Sequence, residues 1–162
     1  MNTDVRIGHG WDTHRLGADR PLRLAGVEIS SARGGLVGHS DADVLSHAVA
    51  SALLGSLALG DLGQHFPDDD PRYEGADSLE LLRHVVRLVE ERGYGVVNCD
   101  STVVAQEPRL AAHIGSMRAH VAAALGVEPE RVSIKATTAE AMGALGRSEG
   151  IAAHAVVLVA RL

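Results

Sequence analysis

The chain has 162 residues, about one domain's worth, of which 46% are hydrophobic and 22% charged, as expected of a globular protein. Its 21 acidic and 15 basic residues leave a net charge of −6, so it has no bulk attraction for nucleic acid or an anionic membrane. A lone cysteine, Cys99, excludes an intrachain disulfide and fits a reducing compartment, and an aromatic content of 2% excludes stacking platforms for single-stranded nucleic acid.

In chain order, Val5 to His9 reads as a short strand and Gly10 to Pro21 as a loop carrying Trp11, Asp12 and His14. Leu22 to Ser30 reads as strand and turn around Gly26, and the glycine-rich stretch Ser31 to Gly38 as a connector. Ser40 and Asp43 form an S-x-x-D capping signal for a helix whose apolar stripe includes Val44, Ala48, Ala52 and Leu53. Gly60 to Tyr73 is a loop rich in Gly, Pro and Asp, followed by a second helix from about Asp77 to Arg92. Gly95 to Gln106 is predicted as a strand, and a third helix opens at Pro108 and stops at Gly126. Arg131 to Thr137 is a strand, Thr138 to Gly150 a loop with one helical turn, and Ile151 to Leu162 a long final strand. Met117 and Met142 are expected in the core, and His154 as a packed residue.

Strands and helices that do not alternate strictly predict an α+β fold. We expect one domain over residues 1–162, in two layers, with a mixed four-stranded sheet and helices on one face. The final strand is apolar at nearly every position, which implies cover on both faces, from helices on one side and another subunit on the other.

Three stretches concentrate chemistry. In IGHGWDTH, Asp12 and His14 are two residues apart, so an extended backbone points both to one side, where a carboxylate and an imidazole can share an ion. The third ligand is sought in GHSDADVLSH, where His39, Asp43 and His47 are spaced by four; spacing does not choose between the histidines. In DLGQHFPDDD, Asp61 and Asp68 offer oxygens to hydroxyls or a cation around Phe66. In IKATTAEAMGALGRSEG, the cations Lys135 and Arg147, the hydroxyls of Thr137 and Thr138 and the carboxylate of Glu140 suit a phosphate with its hard divalent ion. Each stretch also has an ordinary explanation: a capped helix, an acidic surface loop, a turn. The G-x-x-x-x-G-K pattern of a nucleotide P-loop is absent.

Taken together, IGHGWDTHRL, GLVGHSDADVLSHAVASALLG, ALGDLGQHFPDDDP, VAQEPRL and IKATTAEAMGALGRSEGIA resemble the 2-C-methyl-D-erythritol 2,4-cyclodiphosphate synthase family over nearly the whole chain. The resemblance implies a cytoplasmic bacterial enzyme of the methylerythritol phosphate route to isoprenoids. It is a phosphorus–oxygen lyase that closes 4-diphosphocytidyl-2-C-methyl-D-erythritol 2-phosphate to the cyclic diphosphate and releases CMP. It implies a homotrimer with active sites between subunits, and no nucleic-acid or membrane partner. By position, Asp12, His14 and His47 resemble the zinc ligands, and Glu140 the carboxylate for Mg²⁺ or Mn²⁺. His39 and Thr138 resemble the residues that stabilise the transition state, and Ser40 one that touches substrate phosphate. Asp61, Gly63, Phe66 and Asp68 match the methylerythritol site. Ala105, Pro108, Arg109, Leu110 and Ala111 match the cytidine pocket, with Thr137 and Arg147 on the phosphate side. Ala144 departs from an aromatic common at that position, which puts isoprenoid binding on the trimer axis in doubt. The alternative activity is a zinc phosphodiesterase that uses the same triad to activate water.

Overall fold

A computed structural model describes residues 4–162, with Ala18 described by its backbone alone. Among the described residues seven strands and five α-helices follow one another: β1 (Val5–Ala18), β2 (Leu22–Leu24), β3 (Val27–Ile29), β4 (Gly35–Leu36), α1 (Val44–Ser56), α2 (Leu62–His65), α3 (Ser78–Glu91), β5 (Tyr94–Val104), α4 (Ile114–Leu125), β6 (Val132–Thr137), α5 (Gly143–Gly146) and β7 (Gly150–Arg161). The class is α+β. The main sheet runs in the order β4-β1-β7-β5-β6, antiparallel except between β5 and β6, and β2 and β3 form a separate hairpin.

The sheet has five strands where four were expected. The additional strand is β4, whose Leu36 pairs with Leu16 at the edge of β1. Two residues within a glycine-rich stretch give no periodic signal, so only pairing with the neighbouring strand reveals them.

β1 is the larger difference. It runs without interruption through Gly8 and Gly10, so Asp12 and His14 stand on a strand and not in a loop. A Cβ on Gly8 would lie 1.8 Å from the Ala52 carbonyl oxygen, and one on Gly10 would lie 1.9 Å from that of Ala48. These glycines do not break the strand; they let α1 lie directly on it.

α1 has Val44, Leu45, Ala48, Val49, Ala52 and Leu53 buried because it is sandwiched between the sheet and α3. Asp43, and not Ser40, caps it: the Asp43 carboxylate accepts from Ser46 N at 3.1 Å and from Gly26 N at 2.9 Å, tying the β2–β3 hairpin to the helix start. α3 buries Leu79, Leu82, Val85, Val86 and Val89 at helical spacing, and Asp77, where the sequence places the start of the second helix, is its N-cap. The third helix starts at Ile114 rather than Pro108, which sits in the turn after β5. It ends at Gly126, whose φ of +69° is a left-handed cap that L side chains adopt with strain.

The inner face of β7 (Ile151, Ala153, Ala155, Val157, Val159) is buried under the helices. From His154 onward its outer face is left partly open by the described residues. There Ile7 is 71% exposed, Trp11 47% and Val156 39%. His154, expected as a packed residue, stands exposed on this face against Trp11, their ring centroids 4.4 Å apart. Met117 is buried as expected, whereas Met142 is exposed on the loop after β6.

Candidate active site

Register carries Asp12 and His14 to the helix side of the sheet: they pair with Ala153 and Ile151, both on the buried face of β7. One turn into α1, His47 descends to meet them. Asp12 Oδ2 lies 3.0 Å from His14 Nε2 and 3.0 Å from His47 Nδ1, and the two ring nitrogens are 3.3 Å apart. A tetrahedral ion bound at ~2.0–2.1 Å requires donors separated by roughly 3.3 Å, so the donor set and its spacing fit a divalent metal. Among the described residues this is the one group of three or more His, Cys, Asp or Glu gathered closely enough to hold an ion.

Tautomers are fixed from behind. His14 Nδ1 faces the Val37 carbonyl at 2.9 Å; a carbonyl only accepts, so this nitrogen carries a proton, and it is Nε2 that gives up its proton to Asp12 or a metal and turns a lone pair to the site when the ring is neutral. Burial alone would push the Asp12 carboxyl up, but hydrogen bonds from His14 and His47 outweigh it and hold the group well below the usual carboxylate range. Burial would likewise pull His14 down, yet Asp12 outweighs it and raises the imidazole above its ordinary value. Cys99 is no rival nucleophile, since burial pushes its thiol up to about 12.

His39 precedes α1 and lies outside it. Its Nε2 donates to the Asp70 carbonyl at 3.1 Å, so it is held against the acidic loop and away from the triad. His39, Ser40, Gly63, Phe66 and Asp68 line, with the triad, a cleft of about 420 Å³. Phe66 is also packed edge-on against Tyr73, at 5.3 Å between centroids, so it forms the wall of the cleft as well as part of the core. Asp61 does not line the cleft; its carboxylate caps α2 through Gln64 N at 3.0 Å.

A second cleft, of about 420 Å³, collects Ala105, Pro108, Arg109, Leu110, Ala111, Thr137 and Thr138. Glu140 adjoins it: Thr138 Oγ1 donates to Glu140 Oε1 at 2.8 Å. The two clefts share no lining residue, and His39 and Thr138 line different ones. Arg147 lies in neither, but pairs with Glu149 at 2.6 Å in a separate depression with Arg15 and Arg33.

Sequence reasoning missed Arg20, whose guanidinium donates to the carbonyls of Leu36, Gly38 and Ser40 at 2.8–3.0 Å and so shapes the loop before α1. It also missed Tyr73 and Leu81 in the cleft wall, and the second contact of Gln106, which lies in the expected 105–111 stretch but whose Oε1 accepts from Ala141 N at 3.1 Å and holds the loop bearing Glu140. An arginine in a turn carries no pattern that announces its carbonyl partners.

A mixed sheet backed by helices, with a carboxylate and two imidazoles converging at the floor of a cleft, defines an α+β enzyme with a candidate divalent-metal site. The chain belongs to the YgbB family, whose model matches residues 5–160. It is 58% identical to the 2-C-methyl-D-erythritol 2,4-cyclodiphosphate synthase of Trichlorobacter lovleyi, over 96% of this chain and 98% of that protein. Among solved structures, it is similar to the bifunctional IspDF of Campylobacter jejuni, with a TM-score of 0.94 and 40% identity over 98% of this chain and 43% of that one. It is also similar to a 2C-methyl-D-erythritol-2,4-cyclodiphosphate synthase solved in its CDP-bound form, with a TM-score of 0.87 and 36% identity over 96% of this chain and 100% of that one.

Proposed function

We propose that this chain catalyses the reaction for which its relatives are named, closing 4-diphosphocytidyl-2-C-methyl-D-erythritol 2-phosphate to the 2,4-cyclodiphosphate with release of CMP. The observation that carries the reading is the triad cleft, built from Asp12, His14 and His47, in a chain that is 58% identical over 155 residues to a protein of that name. The names of the relatives lend no support to the phosphodiesterase alternative.

Chemically, one oxygen of the 2-phosphate forms a bond to the nearer phosphorus of the diphosphate, and the bond from that phosphorus to the CMP oxygen breaks. The nucleophile is already anionic, so no strong protein base is needed; the difficulty lies in bringing two anions together. Zinc at the triad, and Mg²⁺ or Mn²⁺ at Glu140, would neutralise and align these phosphates when bound. One exposed carboxylate suits a hard ion that takes its remaining ligands from phosphate and water. The protein's own groups do the rest. His39, anchored through Nε2, holds its ring beside the triad cleft. Thr138 supports Glu140 and offers its hydroxyl at the nucleotide cleft. Ser40 lies at the phosphate end, while Gly63, Phe66 and Asp68 enclose the methylerythritol, with Asp61 holding their loop. Residues 105–111 receive the cytidine, in keeping with the CDP bound by a structural relative. Thr137 and Arg147 complete the phosphate side.

The same proposal includes a homotrimer packed through the uncovered sheet faces, placing the triad cleft of one protomer against the nucleotide cleft of the next. Support comes from the exposed Ile7, Trp11 and Val156 and from two half-sites with no common residue. It reads residues 1–162 as one catalytic domain of an intracellular, cytosolic lyase; no described helix is long and apolar enough to cross a membrane. Residues 1–3 lie outside the described part.

Phosphorus NMR of the products tests the reaction. Two coupled diphosphate resonances with equimolar CMP are expected, and Glu140→Ala should largely abolish them. Inorganic or monoester phosphate in their place would establish hydrolysis and overturn the reading.

A further inference from the structure

Behind His47 lies a chain of hydrogen bonds through Ser78 and Asp41, two residues that none of the proposed roles uses. His47 Nε2, the nitrogen turned away from the triad, faces Ser78 Oγ at 2.9 Å. Ser78 Oγ also contacts the Asp41 carboxylate through Oδ1, and the Ser78 backbone N–H donates to the other carboxylate oxygen at 3.2 Å. Ser40 Oγ completes the group, 3.2 Å from His47 Nε2 and 3.4 Å from Ser78 Oγ, while accepting from Ala42 N at 3.1 Å. Ser78 is 1% exposed and Ser40 7%, so water does not substitute for these partners.

The directions of these bonds are determined by chemistry. An ionised carboxylate only accepts, so the Ser78 hydroxyl proton points at Asp41. Ser78 Oγ then presents only lone pairs to His47, and His47 Nε2 must carry the ring proton. The lone pair of a neutral ring is thereby confined to Nδ1, the nitrogen 3.0 Å from Asp12 Oδ2. We propose that Asp41 and Ser78 are positioning residues of the metal centre: acting in series, they fix His47 in the tautomer and orientation that ligate through Nδ1. The arrangement is a carboxylate–histidine–metal triad with a hydroxyl inserted between carboxylate and ring. Because Ser78 is the first residue of α3, the relay also ties that helix to the site.

This inference rests on the reading of Asp12, His14 and His47 as a metal site, and its test keeps the two apart. Zinc affinity is measured on the full chain by competition with a chromophoric chelator, for wild type, Ser78→Ala, Asp41→Asn and the double variant, with melting of each metal-free protein as the folding control. Outer-shell substitutions of this kind typically cost about 10–100-fold in metal affinity. Ser78→Ala and Asp41→Asn should each lose about that much, and the double variant no more than Ser78→Ala alone, since Asp41 acts through Ser78. Losses that multiply in the double variant would overturn the serial relay, as would wild-type affinity in either single variant. Asp41→Asn preserves shape, so it decides the matter should Ser78→Ala fold poorly. Failure of the wild type itself to bind zinc would instead sink the metal site, and the relay with it.

Discussion

Gly10 of β1 lies directly beneath the carbonyl of Ala48 in α1, so that a Cβ on the glycine would sit 1.9 Å from that oxygen. Gly10 shares a strand face with Asp12, and Ala48 follows His47, so this contact sets the distance between the two ligands. Gly10→Ala must push the helix off the strand. Such overpacking costs about 1–3 kcal/mol, and it should widen the 3.0 Å gap between Asp12 and His47. Denaturant unfolding of the metal-free protein should show a lowered midpoint, and zinc competition a weakened site. An unchanged midpoint would show that the backbone contact is looser than described.

The two histidines that sequence spacing could not separate should part in their metal content. His47→Ala removes a triad ligand and should lose stoichiometric zinc while the fold persists. His39 is fastened to the Asp70 carbonyl and lies outside the triad, so His39→Ala should retain zinc. Its loss should appear in CMP release, on the order of 10²–10³-fold if it donates to developing charge. Metal analysis of the two purified variants checks this; zinc lost from His39→Ala would reverse the assignment.

The opposite shifts of Asp12 and His14 give the metal-free site a defined pH response. Asp12, depressed, contributes stability that is present above the ordinary carboxylate range and is lost as pH falls through its lowered value. His14, raised above 6.5, contributes stability that is full below 6.5 and is lost as pH rises through its raised value. Zinc must displace the His14 proton, so its affinity should climb with pH, continue to rise past 6.5 and flatten above the raised value. Competition titrations across that range measure the slope. A profile already flat at 6.5 would contradict the raised His14.

What could be read from the chain and what could not divide along physical lines. The i, i+2 rule placed Asp12 and His14 on one side because they are local neighbours, and residues 105–111 cohere as a cleft wall for the same reason. Gly10 misled, because a glycine that ends a strand and one that admits a helix onto it look alike in sequence. Ser40 misled as a cap: Ala42, with φ +59°, turns the chain between it and the helix, and the adjacent Asp43 takes the capping position. Asp41 and Ser78 were silent because 37 positions separate two residues that touch only in the fold. The uncovered sheet face was legible only as an over-apolar final strand; which of its residues face outward depends on register.

That face supplies the last prediction. Trp11 is 47% exposed beside Ile7 and Val156, on the side of β1 opposite Asp12. Trp11→Glu should therefore leave the chain's own core, and its metal ligands, untouched. In a trimer closed through these faces it would bury three carboxylates without partners, a cost of several kcal/mol per charge. The variant should run as a monomer in sedimentation experiments and still bind zinc at its own triad. It should lose CMP release, because His39 and Thr138 line separate clefts of one chain and would meet only across a subunit boundary. Mixing it with a triad-deficient variant should not restore activity unless assembly is restored. A Trp11→Glu monomer that cyclises substrate at the wild-type rate would mean that one chain contains the entire active site.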